Sequence, residues 1–312
     1  MKISVIVPVY NEVESLEQLY KELKVELREY DYELLFIDDG SNDGSFALLQ
    51  KLGVEESRVR VIKFRTNYGK AAALQTGFRR VTGDVVFTMD ADLQDSPGEI
   101  KRFLKKLDEG YDLVTGWKKK RFDPLGKRIA SRFFNFVTSF VFGLKLHDFN
   151  CGFKVYRKEV VNELDIYGEL HRYIPVLAAS RGFKVSEMEV EHRPRIHGKS
   201  KYGGERFLRG FFDLLTVKLI TDYSRSPLYL FGGIGSIFTI AGVLIGLYLS
   251  YLKLFLGMPL GNRPLLFMSI LLIMVGLQFF SIGLIGELMV NQSRKWSGDN
   301  KISIEKTIGF DL

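Results

Sequence analysis

The chain has 312 residues, 46% hydrophobic and 26% charged, with a formal net charge of +7. That length holds one large domain or two smaller units. The single cysteine, Cys151, excludes an intramolecular disulfide and agrees with a reducing compartment.

Met1-Lys2 leads into an apolar run that stops at Pro8, too short and wrongly flanked for a signal peptide. Ile3 to Val7 reads as a strand. Glu14 to Tyr30 has helical spacing, with Leu16, Leu19, Leu23 and Leu27 on one face. Strand-like Glu33 to Ile37, helical Asp43 to Leu52, strand-like Val59 to Phe64, helical Lys70 to Val81 and strand-like Asp84 to Met89 follow. Such alternation predicts a parallel α/β sheet. Three strands run into polar residues: Pro8-Val9-Tyr10-Asn11-Glu12, Asp38-Asp39-Gly40-Ser41 and Asp90-Ala91-Asp92. Ligands bind outside the carboxyl ends of such strands, so these pieces are expected to converge on one crevice. No G-x-G-x-x-G opens a helix after a strand, and there is no P-loop.

The stretch Asp90-Ala91-Asp92-Leu93-Gln94-Asp95 poses the chemical question. Asp90 and Asp92 are too close in sequence to flank a sugar ring as a glycosidase pair. Carboxylates with an amide oxygen suit a hard cation, Mg²⁺ or Mn²⁺, better than zinc. The four histidines, 147, 171, 192 and 197, have no zinc spacing. Such a cation takes further ligands from substrate phosphates, which points to a nucleotide diphosphate leaving group and Lewis-acid chemistry.

Farther along, Gly126 to Gly143 places Phe133, Phe136, Val137 and Phe140 on one helical face, with Arg128 and Arg132 four apart. A helix of this kind can lie in a membrane interface or pack its apolar face on the core; if it is interfacial, Arg128, Ser131 and Arg132 are expected to receive a lipid phosphate. Arg206 to Lys218 is a second such segment. Pro227 to Phe255 is apolar apart from Lys253, and Pro264 to Gly286 carries no charge. Each exceeds the roughly 18–20 residues that cross a hydrocarbon core as a helix. Gly233-Ile234-Gly235 in the first is expected to permit close helix packing. The short connection at 256–263 makes the pair a hairpin with both chain ends on one side. Basic residues crowd the flanks (Lys199, Lys201, Arg206, Arg209, Lys218, Arg225, then Arg294, Lys295, Lys301), while the connection holds only Arg263. The large N-terminal part and both termini are therefore expected to be cytoplasmic. Beside such a hairpin the positive charge reads as attraction to anionic headgroups, not as a nucleic-acid site.

"VIVPVYNE", "FIDDGSNDGS", "NYGKAAALQTGF" and "MDADLQD", in this order, resemble a family-2 glycosyltransferase of the GT-A fold. The resemblance implies a Rossmann-like, mostly parallel sheet followed by a two-helix transmembrane hairpin. It implies that Pro8, Tyr10 and Glu12 hold the nucleotide's base and ribose. Asp39 would bind base or ribose with Ile37 nearby, and Ala91 and Arg121 would also contact the nucleotide sugar. Asp90 and Asp92 would be the D-x-D pair, with Gln94 completing the Mg²⁺ or Mn²⁺ site. Asp148 to Lys154, "DFNCGFK", and Arg195 to Tyr202, "RIHGKSKY", resemble segments of polyprenyl-phosphate sugar transferases. The nearest groups are bacterial polyprenyl-phosphate glucosyltransferases and dolichyl-phosphate mannose synthases. Two spans are more similar to the glucosyl type, so the resemblance favours UDP-glucose, with GDP-mannose as the alternative, and suggests a tetramer. The implied layout is a catalytic domain over 1–204, a juxtamembrane helix over 205–226, two spans over 227–290 and a tail over 291–312.

Within the loop at 195–202, glycine lets the backbone approach a phosphate. Ser200 adds a donor, and Arg195 and Lys201 add charge. A phosphate monoester has a second pKa of about 6, so the acceptor is mostly dianionic at neutral pH and attacks without a base. Attack opposite the departing nucleotide inverts the anomeric centre. Asp92 and Asp148 are the catalytic candidates, Asp148 as base or as positioning group. A processive polysaccharide synthase is disfavoured: "QSRKW" at 292–296 departs from Q-x-x-R-W at Lys295, and no T-E-D occurs. A non-catalytic membrane partner would be favoured by loss of Asp92 or Gln94, and both are present. Spans without interior charge disfavour a channel.

Overall fold

A computed structural model describes residues 1–119, 125–191, 193, 206–223, 226–259 and 264–296. The chain forms two compact units, Met1–Val217 and Lys218–Leu312.

In the first unit, β1 (Lys2–Val9), α1 (Val13–Glu26), β2 (Asp31–Asp38), α2 (Ser45–Glu55), β3 (Val59–Lys63), α3 (Lys70–Phe78) and β4 (Val85–Thr88) alternate as expected. α1 ends four residues before Tyr30, because the chain turns with Tyr30 N–H donating to Leu27 O at 2.9 Å and enters β2 at Asp31. α3 ends at Phe78, and Arg80 and Val81 N–H both donate to Gly77 O.

The second half of this unit holds α4 (Ile100–Asp108), β5 (Leu113–Trp117), α5 (Leu125–Phe142), β6 (Lys154–Arg157), α6 (Lys158–Glu163), α7 (Ile174–Ser180), β7 (Val185–Glu189) and α8 (Arg206–Lys218). The seven strands form one sheet in the order β3-β2-β1-β4-β6-β5-β7. β1 pairs in parallel with both β2 and β4, while β6 runs antiparallel to β4 and β5. The chain winds from β1 through β2 to β3 and then returns to β4 on the other side of β1, which makes the carboxyl end of β1 a topological switch point, where ligands bind.

Register brings the three polar strand ends together. Pro8 pairs with Ile37 and Val9 with Asp38. Ile6 pairs with Thr88, the last residue of β4, so Asp90 emerges level with Pro8. Proline is tolerated there because β1 has already left its ladder with β4. Leu16, Leu19, Leu23 and Leu27 bury the inner face of α1 against Val5, Val7 and Phe36 in the core. On α3, a Cβ at Gly77 would stand 2.6 Å from Ile6 Cγ2, so glycine lets that helix lie close on β1.

α5 has two unlike faces. Ile129, Phe133, Phe136 and Phe140 are exposed, Phe140 by 81%. Asn135 and Thr138 are buried, and Phe134 and Phe142 meet Tyr173 edge-on at 5.4 and 6.4 Å.

The second unit contains α9 (Pro227–Leu256) and α10 (Pro264–Trp296), packed along each other. Both are long and apolar enough to cross a membrane, with mean hydropathies of 2.1 and 2.4. Only 17% and 11% of their apolar windows is buried, which separates them from the core helices of a water-soluble domain. A Cβ at Gly235 would lie 2.7 Å from Gly276 O, and one at Gly242 would lie 2.8 Å from Ser269 O. Small residues thus set the helix spacing, as in membrane interfaces. Of the expected pair, Gly235 makes this contact, while Gly233 has no atom within 4 Å of its Cβ position.

Candidate active site

The ends of β1 and β2 are tied by reciprocal bonds. Asn11 N–H donates to Ser41 Oγ at 2.9 Å, and Asn42 N–H donates to Asn11 Oδ1 at 2.9 Å. Asn11 has φ 54, a left-handed conformation that asparagine accepts more readily than most residues. Pro8, Tyr10 and Glu12 are partly exposed along this seam, whereas Ile37 is fully buried beneath it. Asp39 is also buried, and its two carboxylate oxygens accept the N–H groups of Tyr68 at 2.7 Å and Gly69 at 2.9 Å. Burial raises its pKa, the two amides oppose this, and the Asp38 charge adds to the rise, which prevails. Asp39 therefore fixes the turn that leads into α3.

α3 opens with Lys70, whose ammonium pairs with Asp90 Oδ1. Burial raises the Asp90 carboxyl, but the charge and hydrogen bond of Lys70, helped by Lys118 and Lys154, hold it down at about 2. Asp90 is thus ionised at neutral pH, with the Lys70 ammonium as its partner. Leu93 sits at φ 60 with its side chain buried. That conformation costs a non-glycine residue about 1–2 kcal/mol, and the buried leucine side chain anchors it. The resulting tight turn leaves Asp92 and Gln94 partly exposed on either side of Leu93, with Gln94 N–H donating to Asp92 Oδ1 at 3.2 Å. Ala91 is buried. Next in the chain, buried Asp95 pairs with Lys118 at 2.7 Å. Arg193 braces the turn from outside: its N–H donates to Gln94 O at 3.0 Å, and its guanidinium reaches Ser96 Oγ at 2.9 Å and Glu22 Oε2 at 2.8 Å.

The "DFNCGFK" segment forms the opposite wall. A Cβ at Gly152 would stand 2.6 Å from the Asp90 carboxyl carbon, so only glycine fits behind that carboxylate. Thr88 Oγ1 donates to Gly152 O at 2.9 Å. Asp148 is fully buried, and its Oδ1 accepts Asn150 N–H at 3.1 Å. Asn135 of α5 holds this loop, donating to His147 O at 2.7 Å and accepting Phe149 N–H at 3.4 Å. Burial and the Asp95 charge push the Cys151 thiol up to about 12, which excludes a thiolate nucleophile at neutral pH. Buried Lys154 donates to Cys151 O and closes the segment.

Among the described residues no cluster of three or more His, Cys, Asp or Glu forms a ready metal cage. The Asp90–Gln94 turn offers two carboxylates and an amide oxygen instead. That donor set fits an octahedral Mg²⁺ or Mn²⁺ that takes its remaining ligands from water and phosphates. Arg128 and Ser131 are half-buried and Arg132 exposed on α5. Arg121, Arg195, Ser200 and Lys201 lie outside the described residues. Lys70, Gly152, Asn135 and Arg193 were not among the residues singled out from sequence. Two of them lie inside quoted motifs, Lys70 in "NYGKAAALQTGF" and Gly152 in "DFNCGFK".

Residues 4–165 match the model of glycosyl transferase family 2. The chain belongs to that family. A dodecaprenyl-phosphate galacturonate synthase of Rhizobium johnstonii is 34% identical over 93% of this chain and 88% of its own. An undecaprenyl-phosphate 4-deoxy-4-formamido-L-arabinose transferase of Proteus mirabilis is 33% identical over 99% of this chain and 94% of its own. Glucosyl-3-phosphoglycerate synthase of Mycobacterium tuberculosis, solved with Mn²⁺, UDP and phosphoglyceric acid, superposes with a TM-score of 0.55 at 18% identity. That superposition covers 70% of this chain and 78% of the other, and shows the shared GT-A-like fold. The family-2 glycosyltransferase is thus an enzyme whose matched region, residues 4–165, takes in the carboxyl end of β1, all of β2 and β4, and the "DFNCGFK" wall.

Proposed function

We propose that this family-2 glycosyltransferase moves one sugar from a nucleotide sugar to polyprenyl phosphate at a membrane surface, with inversion at the anomeric carbon. The observation that carries the reading is the Asp90–Gln94 turn, an oxygen-donor site at the switch point of the sheet, in a chain that also bears two exposed apolar helices. Support for the acceptor comes from the two bacterial relatives, whose names specify dodecaprenyl and undecaprenyl phosphate and whose similarity extends through the hairpin.

In this mechanism Pro8, Tyr10, Glu12 and Asp39 hold the base and ribose, with Ile37 and Ala91 as the buried floor and Arg121 as a further contact. Asp90, Asp92 and Gln94 would hold Mg²⁺ or Mn²⁺, which when bound neutralises charge on the departing diphosphate. Arg128, Ser131 and Arg132, with Arg195, Ser200 and Lys201, receive the lipid phosphate. That dianion needs no deprotonation. Asp148, buried and already accepting Asn150 N–H, acts as a positioning group rather than as a base. The rate then comes mainly from alignment and charge neutralisation.

α5 lies in the headgroup region, a reading supported by the exposure of Phe133, Phe136 and Phe140. The catalytic domain over 1–204 faces the cytoplasm, and 205–226 is a juxtamembrane segment. The spans lie within 227–290, the tail at 291–312 is cytoplasmic, and the protein self-associates, as a tetramer.

The donor sugar is open between classes. Sequence resemblance favours UDP-glucose over GDP-mannose, whereas the named relatives handle galacturonate and formamido-arabinose. The purified full-length protein would be given polyprenyl phosphate, Mg²⁺ or Mn²⁺, and radiolabelled UDP-glucose, UDP-galacturonate or GDP-mannose in turn. Label is expected in a single-sugar lipid product from one donor. It should be lost with EDTA, and fall by about 10²-fold or more in Asp92→Ala, as for removal of a group that stabilises developing charge. A polymer product would favour a processive synthase, and full activity of Asp92→Ala would remove Asp92 from the site.

A further inference from the structure

Lys70 stands first in α3, at the mouth of the crevice, and its ammonium contacts Asp90 Oδ1. That oxygen belongs to one of the two carboxylates assigned to the divalent cation. An ammonium and a divalent cation repel each other at bonding distance from one oxygen, so the cation must displace Lys70 or bind weakly.

Three lysines act on Asp90: Lys70, Lys118 and Lys154. Lys118 is held by buried Asp95, and Lys154 by Cys151 O. The Lys70 side chain keeps 26% of its surface exposed, against 13% for Lys118. Behind it, Gly69 has φ 90, a left-handed value that favours glycine, and leads directly into the first residue of α3. The same turn is bonded to Asp39 through Tyr68 and Gly69 N–H, which keeps Lys70 near the residue proposed above to bind the nucleotide.

We propose that Lys70 is the resting counter-ion of the Asp90–Asp92 site. It leaves Asp90 when a divalent cation binds, and a nucleoside diphosphate strengthens cation binding by giving the displaced ammonium a phosphate partner. The inference rests on reading Asp90 and Asp92 as cation ligands. Its consequence is reciprocal coupling: cation alone binds weakly, and nucleotide and cation each tighten the other by the same factor.

The test uses the full-length protein in detergent. Free Mn²⁺ is followed by electron paramagnetic resonance during titration, with and without UDP. Wild type is compared with Lys70→Met, Lys70→Gln and Asp92→Ala. Lys101→Met serves as a control that removes the same charge from a surface pair with Glu29. Thermal melting confirms which Lys70 variant is folded. Lys70→Met is expected to bind Mn²⁺ alone about tenfold more tightly than wild type, with the tightening by UDP reduced by a similar factor, within the usual range of coupling between sites. Lys101→Met is expected to match wild type.

Unchanged Mn²⁺ affinity in both Lys70 variants, or an undiminished effect of UDP, overturns the inference and leaves the metal site in place. Wild-type Mn²⁺ affinity in Asp92→Ala overturns the metal-site reading itself.

Discussion

Gly152 and Leu93 show what single residues do for this site. The carboxylate of Asp90 occupies the space a Cβ at Gly152 would need. A methyl group there displaces the carboxylate or the backbone, and misplacement of a reacting group by about 1 Å costs on the order of 10²-fold in rate. Gly152→Ala is accordingly expected to lower kcat/KM for sugar transfer by about that factor while far-ultraviolet circular dichroism stays unchanged. Unaltered activity would mean that Asp90 does not need its observed position. Oxygen donors clustered after a strand pointed from residue types to a hard cation, and the family resemblance gave Asp90, Asp92 and Gln94 their proposed roles. The left-handed backbone of Leu93 was not legible, since leucine rarely adopts it and only burial of its side chain sustains it. Lys70 was hidden for another reason. Its partner lies 20 residues away in sequence, and only the close approach of α3 to β1 brings the two together.

At the scale of elements, apolar runs identified β1 to β4 and both long helices, and periodicity identified α1 and α5. The strands β5, β6 and β7 escaped because their sequences carry weak patterns. "LVTGW" includes Gly116, "KVYR" opens on a lysine that is buried against Cys151 O, and "VSEME" is only partly buried. Their places come from tertiary pairing, with β6 running antiparallel between β4 and β5. α5 was read as amphipathic, yet its inner face is partly polar: Asn135 uses its amide to hold both His147 and Phe149, and so carries Asp148. The helix thereby links an exposed aromatic stripe to a wall of the site. Replacing Phe136 and Phe140 together by Ser is expected to raise KM for polyprenyl phosphate in lipid bilayers several-fold and to reduce binding of acidic vesicles, as loss of buried apolar area in the interface requires. UDP affinity should stay at the wild-type value, because both rings point away from the buried face that carries the loop. An equal rise in KM for donor and acceptor would show that the stripe serves the fold instead.

For the whole molecule the question is whether the proposed hairpin spans a membrane, and in which direction. The apolar helices α9 and α10 are long and apolar enough to cross a membrane, and the basic residues before α9 and after α10 outnumber those of the connection. In a spanning hairpin, charge asymmetry of this kind would set the basic side in the cytoplasm. The nucleotide-sugar reading requires the same side, because the donor would be supplied there. The single cysteine makes this testable without removing background: Cys151 is buried, and its thiol is held near pKa 12. Met258 lies just beyond α9 and is 41% exposed, and Tyr68 at the crevice is 66% exposed. With a membrane-impermeant maleimide applied outside intact cells, Met258→Cys is expected to label and Tyr68→Cys to remain unlabelled until the cells are opened. The reverse pattern would place the crevice outside, away from its donor, and would invert the topology. Labelling of both from outside would show that α9 does not span. Because the substituted residues sit on opposite ends of the charge asymmetry, the two labels together test the hairpin and its orientation in one experiment.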